Sequence, residues 1–117
     1  MLGEEDGLVR RLVAEVPALQ GVWAEHLSDN YGEVLPHVLL AEITRYAINA
    51  ALGTPEDLAT ARRIVSFLER NFEGGSARIK ELVAVSFLEN LPRDDQQGHE
   101  VWELLGPELA AEAARLA

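Results

Sequence analysis

A chain of 117 residues that is 48 % hydrophobic has the material for one packed domain, and its lack of cysteine excludes disulfides, thiolate metal sites and a thiol nucleophile. The net charge of −10, from 20 acidic and 10 basic residues, opposes phosphate backbones and anionic bilayers, which argues against nucleic-acid and membrane binding. The same charge can steer a basic protein partner, or serve solubility alone. It is unevenly spread: residues 1–42 carry eight acids and two bases, 43–88 five acids and six bases, and 89–117 seven acids and two bases.

Hydrophobic residues recur at three and four throughout, with no sustained alternation, so the periodicity predicts helices only. The first spans about Glu4 to Val16, with Glu4, Glu5 and Asp6 at its positive end and Leu8, Val9, Leu12, Val13 and Val16 on one face. Pro17 ends it. A second helix, about Ala18 to Leu27, is expected to bury Leu19, Val22, Trp23 and Leu27. The polar turn "SDNYGE" follows, and a third helix runs from Pro36 to about Leu52, with Gly53 closing it.

"TPED" is the clearest boundary. Thr54 suits the N-cap, Pro55 the first helical position and Asp57 the third, a capping-box variant. The fourth helix buries Leu58, Ala61, Ile64 or Val65, Leu68 and Phe72, and "EGGS" breaks it. Ser76 caps a fifth helix, Ala77 to Leu91, which is apolar nearly all round and is therefore expected at the centre. Within it Ser86, Glu89 and Asn90 form one polar edge, placed either in solvent or against Arg45 or Tyr46. A short sixth helix carries Val101, Trp102, Leu104 and Leu105, and an alanine-rich one starts at Pro107.

The expected fold is all-α: one domain over residues 1–117, a compact bundle of about six or seven helices with irregular or orthogonal packing. Its acidic C-terminal segment, 92–117, is polar and alanine-rich enough to fray. No signal-peptide pattern opens the chain, and no apolar run reaches the ~18 residues that span a bilayer. A cytoplasmic protein is expected.

Motifs for chemistry are sparse. "GHEVWE" approaches the zinc pattern H-E-x-x-H, but Glu103 stands where the second histidine belongs, leaving His99 and Glu103 a poor metal pair. Glu33 and His37 are four apart with Pro36 between them, and a local hydrogen bond of His37 near its helix start is the plainer reading. "FEGGSAR" could meet a phosphate at a helix start, but its glycines serve any helix connection. Nucleophile-elbow, Walker and dinucleotide-binding patterns do not occur. Glu42, Glu69 and Glu89 each lie in an apolar helix. A structural acid, paired for instance with Arg45, is favoured over a catalytic acid. No cofactor or metal is expected.

"LPHVLLAEITRYAI" (35–48) and "FLERNFEGGSARIKELVAVSFLENL" (67–91) together resemble a family of small bacterial all-helical proteins of unknown function. The resemblance spans about residues 16–91, with "SFLENL" its most specific part, and leaves 92–117 outside. It implies an all-helical fold and no established activity. Small acidic members of such a family are loosely similar to immunity proteins, which neutralise toxins of neighbouring bacteria.

The leading expectation is a non-catalytic protein-interaction module for a basic partner, in its most concrete form an immunity-type inhibitor of a cationic toxin. Asp94, Asp95, Glu100 and Glu103 would make the contact, with Trp102 either an aromatic anchor or core. Two alternatives stand beside it. One is an enzyme whose His37, Glu42 and Glu89 converge in a pocket. The other is a structural or regulatory subunit that forms a homodimer.

Overall fold

A computed structural model describes residues 3–93 and 96–116, which form six α-helices and three short 3₁₀ turns and contain no strand. The radius of gyration is 13.4 Å, as compact as a folded chain of this length should be at roughly 13 Å.

Helix α1 (Glu4–Glu15) turns Leu8, Val9, Leu12 and Val13 inward and keeps its three acids in the first turn. Pro17 opens a 3₁₀ turn, Pro17–Leu19, that leads into α2 (Gln20–Asp29). On α2 the fully buried side chain is His26; Val22, Trp23 and Leu27, expected inside, are only partly covered. Helix α3 (Pro36–Ala51) starts on its proline, whose missing N–H would have no helical acceptor there. Helix α4 (Pro55–Glu73) starts on the expected capping box: Thr54 Oγ1 accepts from the Asp57 N–H at 3.1 Å, and Asp57 Oδ2 accepts from the Thr54 N–H at 3.1 Å.

Helix α5 is shorter than its apolar run. It spans Ala77–Ser86 and gives way to a 3₁₀ turn at Leu88–Asn90. The cause is a competition for one carbonyl. The Ser86 C=O would accept from the Asn90 N–H in a continuing helix. It accepts instead from Thr44 Oγ1 on α3 and from Asn90 Nδ2, both at 3.0 Å, and the Asn90 N–H moves to the Phe87 C=O at 3.1 Å. So of the polar edge only Ser86 meets α3, through Thr44 and His37 rather than Arg45 or Tyr46, while Glu89 and Asn90 lie in solvent.

The central element is α3, not α5. Helix α3 packs on α1, α2, α4, α5 and the 99–104 turn, whereas α5 leaves Val85 44 % exposed. Leu8, Leu12, Leu39, Ile43, Ile64, Leu68, Leu82 and Phe87 form a core closed to solvent. The chain then makes a 3₁₀ turn at His99–Leu104 and ends in α6 (Pro107–Leu116). Gly98 lets that turn sit on α3: its φ is +94°, and a Cβ there would stand 2.6 Å from Ile48 Cγ2.

Candidate functional site

The last segment is pinned at three points. Val101 is fully buried, and Trp102 Nε1 donates to the Pro92 carbonyl at 2.6 Å. The third point is Glu69 of α4, whose carboxylate accepts from the Glu108 N–H at 2.8 Å and the Leu109 N–H at 3.1 Å. These are orphan donors of the first turn of α6, so Glu69 caps that helix from another part of the chain. Gly106 makes room for it, because a Cβ there would lie 2.5 Å from the Glu69 Cδ. Leu109 and Ala113 of the docked helix are buried. Glu69 is therefore a structural acid.

Docking α6 in this way leaves a groove of about 600 Å³ between it and the 88–93 stretch. Leu88, Leu91, Trp102, Ala113 and Leu116 supply its apolar lining. Glu89 and Arg93 are the charged residues on it, and both are exposed. Of the expected contact residues, Trp102 lines the groove, is half-buried and packs against the core. Glu103 is exposed and Glu100 half-exposed on the same 3₁₀ turn. Asp94 and Asp95 lie outside the described residues.

The set His37, Glu42 and Glu89 does not come together. His37 Nδ1 meets the Ser86 Oγ at 2.9 Å, across to α5 and not within its own helix start. Glu89 faces the groove just described. Glu42 bonds to His26, not to Arg45: His26 Nδ1 lies 2.7 Å from Glu42 Oε1. The groove that Glu89 lines includes neither His37 nor Glu42. His99 meets the Glu100 carboxylate at 3.0 Å and the Gln96 carbonyl at 3.2 Å rather than Glu103. Among the described residues, no three carboxylate or imidazole groups gather at metal-binding distance.

His26 is the polar group that sequence reasoning passed over. Its ring is wholly buried, and its Nε2 accepts from the Leu35 N–H at 3.1 Å. That bond assigns the tautomer, since an accepting Nε2 leaves the proton on Nδ1, which donates to Glu42. One imidazole thus joins α2, the 30–35 loop and α3. A signal was present: Leu19, Val22 and His26 recur at three and four along the expected second helix. On α6, hydrogen bonds from Arg115 at 3.0 and 2.7 Å hold the Glu112 carboxyl below its ordinary range.

Residues 9–116 match the model of a family described as a domain of unknown function, DUF7674, and the chain belongs to that family. The match takes in most of the 92–117 segment that the sequence resemblance left outside, so α6 and its groove are part of the family domain. No curated protein and no solved structure matches the chain. No helix among the described residues is long and apolar enough to cross a membrane.

Proposed function

We propose that this chain is a small acidic protein-interaction module that receives a basic partner at the Trp102 groove. The observation that carries the reading is the groove's layout. Its lining is apolar, its charges are exposed, and the acids Glu100 and Glu103 stand on the turn that supplies Trp102. An apolar centre with a polar margin is the anatomy of a protein interface. The carboxylates and imidazoles on which a catalytic reading would rest support the proposal from the other side. Glu69 caps α6, Glu42 holds His26, and His37 bonds to Ser86. In its most specific form the module is a cytoplasmic bacterial immunity protein that neutralises a cationic toxin. Small size and a charge of −10 favour that form.

The test is a low-salt pull-down from the source lysate with a salt-step elution, run with the wild type and Leu116→Glu. Leu116 lines the groove and is 43 % exposed, so the substitution alters the surface and spares the core. The expected result is one basic protein retained by the wild type and lost by the variant. Its association rate should fall steeply with salt. A partner held equally by Leu116→Glu, or one whose association ignores salt, refutes the proposal. For the immunity form, an equimolar amount of this chain should also abolish the partner's toxicity.

A further inference from the structure

We infer that the turn carrying Tyr31 is a second contact surface, built to offer one aromatic ring to an arginine of a basic protein. Tyr31 is 101 % exposed, so its ring packs against nothing in this chain. Its backbone sits at φ +56°, the left-handed region that bulky side chains avoid and that glycine or asparagine adopts more readily. A residue that costs backbone strain and adds no packing does not serve the fold. Strain of this kind concentrates where a side chain must be presented.

Hydrogen bonds hold the turn on both sides of Tyr31. The Gly32 N–H donates to the Leu27 carbonyl at 2.7 Å, and the Glu33 N–H to the Asn30 carbonyl at 3.0 Å. Asn30 Nδ2 donates to the His26 carbonyl at 2.8 Å, and the Leu35 N–H to the buried His26 ring at 3.1 Å. Tyrosine is an economical anchor when held in this way, having few rotatable bonds and a large amphipathic face.

Charge identifies the partner. Between Arg11 and Arg45 there is no lysine or arginine, while Glu15, Glu25, Asp29, Glu33 and Glu42 all fall in that interval. Asp29 and Glu33, both exposed, flank Tyr31 at two residues on either side. A guanidinium can stack on the ring and hydrogen-bond to a flanking carboxylate together, which the compact lysine ammonium does less well. The same chain sets cations over three of its other aromatics: Arg10 lies 5.4 Å from the Trp23 centroid, Arg11 and Arg70 lie 6.0 and 5.9 Å from that of Phe67, and Lys80 lies 5.6 Å from that of Phe72. Among the described residues no such contact involves Tyr31. This surface shares with the groove only the demand for a basic partner.

The experiment titrates tetra-arginine amide and tetra-lysine amide into the ¹⁵N-labelled full chain at low salt. It uses the wild type, Tyr31→Phe, Tyr31→Asn and Leu116→Glu. With tetra-arginine, amide shifts should centre on residues 29–33 in the wild type, Tyr31→Phe and Leu116→Glu. Tyr31→Asn should weaken binding by roughly two- to fivefold while its melting temperature stays level or rises. Tetra-lysine should bind the wild type more weakly than tetra-arginine. The inference is overturned if the shifts centre elsewhere, if Tyr31→Asn binds as the wild type does, if it melts lower, or if the two peptides bind alike. Failure of the groove proposal alone would leave the shifts at 29–33 in place.

Discussion

Replacing His26 by alanine removes a side chain that touches three parts of the fold, and its cost can be worked out contact by contact. The Leu35 N–H loses its acceptor inside the protein, worth about 1 kcal/mol, because this bond is only part-buried and water can partly replace it. The space of a fully buried ring is left open, worth roughly another 2 kcal/mol by analogy with large-to-small core substitutions. The Glu42 side chain is 23 % exposed, so water replaces part of its lost bond and it adds little. The total is about 3 kcal/mol, a large share of the 5–15 kcal/mol that stabilises a typical domain. Urea unfolding followed by far-UV circular dichroism measures it directly, and the melting temperature should fall by about 10–20 °C. Glu42→Gln is the informative companion. Its carbonyl still accepts from His26 Nδ1, so its loss should be only about 1 kcal/mol. A His26→Ala cost below about 1 kcal/mol, or a Glu42→Gln cost as large as that of His26→Ala, would show that the imidazole is not the link that the geometry makes it.

Glu69→Ala should free the two amides at the start of α6 and cost about 1–2 kcal/mol, the range of a lost helix cap. Hydrogen exchange should quicken at Glu108 and Leu109 while the α1 amides stay protected, and Gly106→Ala should mimic it by displacing the Glu69 carboxylate; unaltered exchange in both variants would remove Glu69 as the cap. At the other end of α6, Arg115→Gln should raise the Glu112 titration midpoint toward the ordinary glutamate value, read from carboxyl carbon shifts. Because the folded state depresses this acid, the pair contributes above the unfolded carboxylate range, and its contribution is lost as pH falls through the lower folded midpoint. A midpoint that does not move would count against the Arg115 bond as the cause.

What was legible without coordinates is what depends on near neighbours. Thr54 and Asp57 are three residues apart, and their reciprocal bonds follow from helix geometry alone. Ser76 accepts from the Ile79 N–H for the same reason, and Pro36 begins its helix wherever that helix is packed. The three- and four-residue recurrence of apolar side chains likewise gave an all-helical chain and most of its core. What the sequence left unnamed lies where a partner is far away along the chain. His26 and Glu42 are 16 residues apart, Glu69 and Leu109 are 40 apart, and His37 and Ser86 are 49 apart. No local pattern pairs them. Helix α5 shows the distinction within a single element. Its start was readable from Ser76, whereas its end at Ser86 was decided by Thr44, which takes a carbonyl that the helix would otherwise use. The central place of α3, the groove beside Trp102 and the unpacked ring of Tyr31 are of the same kind. Periodicity tells which face of a helix is apolar, but only the packed fold decides what covers that face and what it leaves in water.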